Sequence, residues 1–347
     1  MLKHEYDIKR RIGVKRKAIL FTERGKADFL ECDLPEANEH SVLVKTEFSA
    51  ISSGTEKANL LGLPNTYGDF PRTLGYSSTG IVLEIGNSVT TCKPGDRVIV
   101  YHGIHSSLNL VNEDSIIKIP YDELSMRDCS FVLLAAMGLG GLRKTRLEIG
   151  ESGIVFGMGI LGIFSLLFMK MSGAIPVIAA DLSEKRRELA IKCGADYAFD
   201  PSESDFYDNV KEITDGKGVS AIVEVTGSAK ALLDALNCAA YQARISLLGC
   251  TRISDVHIDY YTQVHKPGIE LIGAHNFVRP AHDSYPYHWT NADDCNAIMK
   301  MMKYRRIDFS DIITETVYPQ DAANVYQRML KDKDFPTGIV FDWESVK

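Results

Sequence analysis

Paired cysteines are missing from this chain. Its seven cysteines stand singly at 32, 92, 129, 193, 238, 250 and 295, with no C-x-x-C among them. That excludes a disulfide framework and a zinc knuckle, and it suits a reducing cytoplasm. Long apolar runs are missing too: none reaches the roughly 18 residues needed to span a bilayer. The stretch Met1 to Lys17 is basic but has no apolar centre, so it does not read as a secretory signal. Residues 1–16 read as a short polar arm without an assigned function. Positive charge is in deficit as well. The net charge of −7 argues against nucleic acid or an anionic membrane as a partner. Internal repeats and low-complexity linkers are absent. A chain of 347 residues that is 45% hydrophobic has the size and composition of a soluble protein with two cored domains.

The stretch with the most structure written into it is Gly153-Ile-Val-Phe-Gly157-Met158-Gly159-Ile160-Leu161-Gly162. A short apolar run breaks into glycines spaced G-x-G-x-x-G, and helix-forming residues follow to Met171. In such a turn Gly157 permits the tight bend, Gly159 lets a pyrophosphate approach the backbone, and Gly162 lets helix and strand pack closely. The helix N-terminus offers unpaired N–H groups and the positive end of its dipole to the phosphates. A second apolar run, Pro176 to Ala180, ends at Asp181, where a carboxylate meets a ribose 2′-hydroxyl. Ser183 then reads as the N-cap of a helix to Cys193. The spacing predicts a dinucleotide site formed by Gly157 through Gly162 with Asp181. Arg186 is counted with it, as are Thr226 and Gly249 at the ends of the later apolar runs 219–225 and 244–249.

Around this centre the pattern is of two kinds. From Lys17 onward, short β-runs alternate with turns: 18–21, 41–45, 79–84 and 97–101, the last preceded by the turn Lys93-Pro-Gly-Asp96. Such spacing suggests a small barrel or sandwich. From Asp128 to Met137 a helix is expected, and strand and helix then alternate to about residue 274, which implies a parallel sheet covered on both faces. An aromatic, histidine-rich loop runs from His275 to Trp289. A helix near 293–304, a strand at 312–317, a helix at 320–331 and a strand at 338–343 close the chain.

Several local motifs together resemble the medium-chain dehydrogenase/reductase superfamily, the zinc alcohol dehydrogenase relatives. Ala50-Ile-Ser-Ser-Gly-Thr-Glu56 resembles the family's I-C-x-T-D, Leu74-Gly-Tyr-Ser-Ser-Thr-Gly80 its L-G-H-E-x-x-G, and Pro94-Gly-Asp-Arg-Val98 its P-G-D-R-V. The resemblance spans nearly all of the chain from Lys17. It implies an α/β fold, a Rossmann doubly wound parallel sheet plus a GroES-like β-barrel catalytic domain. The expected division is 1–127 catalytic, 128–273 nucleotide-binding and 274–347 a return to the catalytic domain. It also implies a homodimer or homotetramer acting on a small molecule in the cytoplasm.

The departures from the family pattern are as informative. At the positions of the zinc ligands stand Ser53, Tyr76, Ser77 and the Ala135-Ala136 neighbourhood, and none offers sulfur, imidazole or carboxylate. The four cysteines of the structural-zinc lobe are missing. The chain resembles a zinc-free branch with an S-x-G-T-E motif, so no metal is expected.

Two readings stand for each candidate catalytic residue. Thr55 matches the hydroxyl that relays a proton from the substrate oxygen, or it caps the helix beginning near Glu56. Tyr76 donates a hydrogen bond to the developing alkoxide, or it fills the space the metal left. Glu56 orients Tyr76, or it is a solvated carboxylate. His102 and His105 form H-x-x-H, but three residues apart on a strand their side chains face opposite ways, which argues against a shared metal. Glu224, ending an apolar run, reads as structural. His275, Tyr287 and Trp289 suit a hydroxylated ring beside the family's substrate cleft, or a surface contact. The resulting expectation is an NAD-dependent, zinc-independent dehydrogenase acting on a secondary alcohol of a polyol, sugar or cyclitol. A zinc-free quinone or enoyl reductase and a non-catalytic NAD-binding protein are the competing expectations.

Overall fold

The computed structural model describes residues 14–66 and 68–346. Most of the expected polar arm, residues 1–13, lies outside them. Two compact units divide the chain: residues up to Leu133 together with those from Ala297, and Leu134–Asn296.

The first unit opens with β1 (Lys15–Glu23) and β2 (Lys26–Asp33), followed by β3 (Ser41–Ala50), α1 (Ser53–Leu60), β4 (Arg72–Thr73), β5 (Ser77–Ile85) and β6 (Arg97–Tyr101). Then come β7 (Leu108–Asn112), β8 (Ile116–Lys118) and the short α2 (Met126–Cys129). β5 pairs antiparallel with both β3 and β6. The Pro94-Gly-Asp turn delivers β6: Gly95 adopts φ +89°, and the Asp96 carboxylate accepts the Lys93 amide at 3.0 Å. β2, β7 and β8 escaped the sequence reading because their polar residues break the two-residue alternation. The helix expected over 128–137 is two helices, α2 capped by the Ser125 hydroxyl and α3 (Val132–Lys144).

The second unit runs β9 (Gly153–Phe156), α4 (Ile160–Met171), β10 (Val177–Ala180), α5 (Glu184–Lys192), β11 (Tyr197–Phe199), α6 (Phe206–Ile213), β12 (Val219–Glu224), α7 (Ala229–Cys238), β13 (Ala239–Leu247) and β14 (Glu270–Gly273), ending within α8 (Asn291–Lys303). All six strands are parallel, in the order β11-β10-β9-β12-β13-β14. This is the doubly wound order with its switch point between β9 and β12. Every residue of β9 and β10 is buried, as strands covered on both faces require. Ser183 is the N-cap of α5, its hydroxyl facing the Arg186 amide.

The chain then returns to the first unit as β15 (Ile313–Val317), α9 (Ala322–Lys331) and β16 (Gly338–Asp342). β16 pairs with β3, and α9 packs Val325, Tyr326 and Met329 into a core with Phe21, Phe341 and Trp343. The return begins at Ala297 rather than at 274. Residues 274–296 stay with the nucleotide-binding unit because buried charges tie them there. The Asp294 carboxylate, fully buried, takes the Arg279 guanidinium at 2.7 Å and Arg143 of α3 at 2.9 Å. Arg279 also donates to the Ala136 carbonyl and passes over Gly140, where any side chain would collide with it. Among the described residues, no helix is long and apolar enough to cross a membrane.

Candidate active site

The residues singled out from the sequence fall in both units. In the nucleotide-binding unit the turn after β9 has the predicted mechanics. Gly157 adopts φ +92°, and a Cβ there would also press on the Thr226 methyl at 2.7 Å. A Cβ on Gly162 would overlap the Gly157 carbonyl, whereas the space beside Gly159, the N-cap of α4, is open. The glycines therefore divide as a bend, a cradle and a packing contact, which fits a dinucleotide pyrophosphate on the α4 N-terminus. Met158, Ile160 and Leu161 complete this turn. Gly162→Ala should cost about 1–3 kcal/mol of stability through overpacking, and should weaken NAD binding with it. Thermal melts and a fluorescence titration with NAD check this; wild-type values for both would contradict it.

Asp181 follows the last residue of β10. Its Oδ2 accepts the Met158 amide at 2.6 Å and its Oδ1 the Ser183 amide at 2.8 Å. A carboxylate has about four acceptor sites, so capacity remains for a ribose hydroxyl. Arg186 lies 4.0 Å from Oδ2, while Arg187 is a strut, bonded to the Asp181 carbonyl and the Asp200 carboxylate. Across the switch point, Glu224 is buried and accepts the Thr226 and Gly227 amides at 2.7 and 3.0 Å. Burial pushes its carboxyl above the usual range against those bonds. It shapes the turn after β12, and Gly249 packs on the same turn, against Gly227 and Val225.

The aromatic loop is fastened to its own unit. One face of Trp289 is covered by the Arg143 guanidinium at 3.9 Å, and the Trp289 carbonyl accepts from Arg279. The Lys144 ammonium donates to Nδ1 of His288 at 2.8 Å. His275 caps a short 3-10 turn by accepting the Phe277 amide. Tyr287 is exposed, with φ +66°.

In the first unit the turn into α1 carries the candidate catalytic residues. The Tyr76 phenol donates to Ser52 Oγ at 2.8 Å. Burial raises the Tyr76 hydroxyl well above its ordinary range, and the Glu56 charge adds to the effect. Ser53 is the first residue of α1, and the hydroxyl that meets Tyr76 is that of Ser52, the N-cap residue. Thr55 sits inside the first turn rather than capping it. Glu56 is no solvated carboxylate: it is fully buried, and its bonds go not to Tyr76 but to the Ser52 amide at 2.8 Å and the Tyr326 hydroxyl at 2.6 Å. Tyr326 lies 270 residues away in sequence, a pairing that no local pattern signals.

β6 ends at Tyr101, so His102 and His105 sit beyond the strand and strand geometry does not govern them. His102 lies against the Tyr101 ring. His105 is buried, with Nε2 at 3.3 Å from Glu56 and Nδ1 at 2.7 Å from Ser49. The residues at the family's zinc positions do not suit that metal. Ser77 donates to the Ser130 carbonyl at 2.6 Å, and Tyr76 is a protonated donor. Among the described residues no three His, Cys, Asp or Glu groups are placed to hold a metal ion.

Residues 38–142 match the alcohol dehydrogenase GroES-like domain family, and 161–283 match the zinc-binding dehydrogenase family. The chain is 31% identical to an L-threonine 3-dehydrogenase of Pyrococcus horikoshii over 280 residues, covering 68% of this chain and 76% of that protein. It is 30% identical to a D-guloside 3-dehydrogenase of Escherichia coli over 273 residues, 77% of each. The crystal structure of galactitol-1-phosphate dehydrogenase from Escherichia coli shares the fold, with a TM-score of 0.81 at 18% identity over 94% of this chain and 99% of that one. From its domain pair, its glycine turn and these relatives, the chain belongs to the medium-chain dehydrogenase/reductase superfamily, as an alcohol dehydrogenase-like oxidoreductase.

Proposed function

We propose that the protein is an NAD-dependent, zinc-independent dehydrogenase that interconverts a secondary alcohol and a ketone on a polyol, sugar or cyclitol. The observation that carries this reading is Tyr76, a buried phenol that donates to Ser52 Oγ at a motif position where zinc members of the family hold their metal, with Thr55 on the turn that follows Ser52. The relatives support the substrate class, since their names specify threonine, guloside and butanediol, all bearing secondary hydroxyls.

NAD, when bound, supplies the hydride acceptor. The glycine turn and the α4 N-terminus would hold its phosphates, and Asp181 would accept from the adenosine ribose. Thr55 relays the proton of the substrate hydroxyl, accepting it while passing its own hydroxyl proton on toward solvent. Tyr76, held protonated by its surroundings, serves as a fixed donor to the oxygen on which charge develops; to do so its hydroxyl turns from Ser52. Ser52 and Glu56 set that geometry. Of the aromatic loop, His275, Tyr287 and Trp289 remain the residues assigned to substrate, and Tyr287 has the freer ring.

The test is NAD and NADP reduction across a panel of sugars, polyols and cyclitols, with quinones and enoyl compounds as the contrasting set. The wild type should favour NAD by roughly tenfold or more in kcat/KM, the equivalent of 1.4 kcal/mol, because Asp181 faces a 2′-phosphate with like charge. Asp181→Ser should narrow that ratio. Turnover confined to quinones, or a wild-type preference for NADP, would overturn the assignment.

A further inference from the structure

We propose that His105 is a positioning residue for the Thr55–Tyr76–Ser52 hydroxyls, acting through Glu56. The proposal rests on the reading of those hydroxyls as the reacting groups.

Donor accounting sets the state of the ring. The Trp343 indole N–H can only donate, and it gives its hydrogen to Ser49 Oγ at 2.7 Å. The Glu56 carboxylate can only accept, so Nε2 of His105, which faces its Oε1 at 3.3 Å, carries the ring proton. In the neutral imidazole Nδ1 is then the acceptor, and the Ser49 proton serves it at 2.7 Å. Glu56 Oε1 also takes the Ser52 amide, and Oε2 takes the Tyr326 hydroxyl. Trp343, Ser49, His105, Glu56 and Tyr326 are each at most 1% exposed. A buried polar group without a partner is costly, so a directed chain that satisfies all five fixes their orientations together.

The place of His105 is built in from a second side. Gly75, at φ +112°, leaves no room for a Cβ, which would collide with the His105 ring and amide. The His105 amide in turn donates to the Leu74 carbonyl at 2.6 Å. Gly75 precedes Tyr76, so the same turn seats both the imidazole and the phenol.

The consequence for the reacting groups runs through one amide. Glu56 holds the Ser52 N–H at the start of α1, and Ser52 Oγ receives the Tyr76 phenol. Thr55 stands one position before Glu56 on the first turn of α1. When the His105 donor is removed, Oε1 loses one of its two partners, and the turn carrying the hydroxyls can relax. Small misplacements at a reacting centre are expensive in rate, and partners one contact removed from the reacting groups typically carry ten- to hundredfold.

The experiment compares His105→Leu, which removes both ring nitrogens, with His105→Gln, which restores an N–H toward Glu56. In His105→Leu, kcat should fall about ten- to hundredfold while KM for NAD stays near wild type, and His105→Gln should recover most of the loss. In parallel, the ring 15N pattern of His105 should report protonation at Nε2. The 13Cζ resonance of Tyr76 should move in His105→Leu and return in His105→Gln. The resonances need no substrate, so a wild type that turns over nothing would sink the functional reading while the Tyr76 shift still decides this proposal. A folded His105→Leu protein with an unmoved Tyr76 resonance, or with full kcat, overturns it. Should His105→Leu not fold, Trp343→Phe tests the same chain: losing the donor that orients the Ser49 hydroxyl should shift the His105 ring and Tyr76 resonances, and wild-type spectra overturn the proposal.

Discussion

Replacing Tyr76 by Phe should lower kcat by about two to three powers of ten, the usual effect of removing one preorganised donor to a developing oxyanion. KM should change far less, because the phenol matters to the transition state more than to the ground state. Thr55→Ala should fall in the same range for a different reason, since it removes the hydroxyl that relays the proton. The two roles separate on physical grounds. Burial and the neighbouring Glu56 charge hold the Tyr76 proton in place, so Tyr76 donates a hydrogen bond without surrendering its hydrogen. Thr55, on the first turn of α1, is the hydroxyl left to pass the substrate proton on toward solvent. Steady-state kinetics on the best substrate of the panel decide the matter. A Tyr76→Phe enzyme with wild-type kcat would reduce the phenol to a filler of the space left by the metal.

Asp294→Ala should have the largest effect on stability. Asp294 is fully buried and, among the described residues, is the sole carboxylate bonded to the Arg143 and Arg279 guanidiniums, the second of which is only 9% exposed. Breaking a buried charge pair from one side leaves the partner charge uncompensated, a cost of about 3–5 kcal/mol. For a unit of this size that is roughly 10 °C in Tm. The loop from Arg279 to Thr290, held by the same arginine, should become protease-sensitive. Calorimetry and limited proteolysis read both effects. A variant melting within a degree or two of wild type would show the triad to be worth little. Replacing all three charges with apolar residues should be milder than Asp294→Ala alone, since it leaves no charge stranded.

What could be read from the residues followed their range of interaction. The glycine turn, Asp181 and Ser183 act within about thirty residues of one another, and each has a local physical signature: positive φ, an open cradle, a capping hydroxyl. In the structure Gly157 has the positive φ, Gly162 the close packing and Ser183 the capping hydroxyl that their spacing implied. The parallel sheet was equally legible, because strands buried on both faces are written as continuous apolar runs. The surroundings of Glu56 were not legible. Its partners come from β3, the turn after β6 and α9, and nothing in the S-x-G-T-E motif announces Tyr326 or His105. β6 stops at Tyr101, so strand geometry does not set where His105 points, and no local pattern places its ring beside Glu56. The motif points to Ser53, whereas the hydroxyl that receives the Tyr76 phenol is that of Ser52. The boundary at 274 missed the buried charges that keep the aromatic loop with the nucleotide-binding unit, since opposite charges far apart in sequence carry no periodic signal.

The central claim is that hydroxyls replace a metal in this enzyme. A catalytic zinc would lower the pKa of the substrate hydroxyl and contribute several kcal/mol to the barrier; Thr55 and Tyr76 must act without it. The most direct measurement is metal content by elemental mass spectrometry, combined with turnover before and after prolonged phenanthroline treatment. The expected result is substoichiometric zinc and unchanged kcat on the best polyol or sugar substrate. Stoichiometric zinc whose removal abolishes turnover, and whose return restores it, would contradict the account.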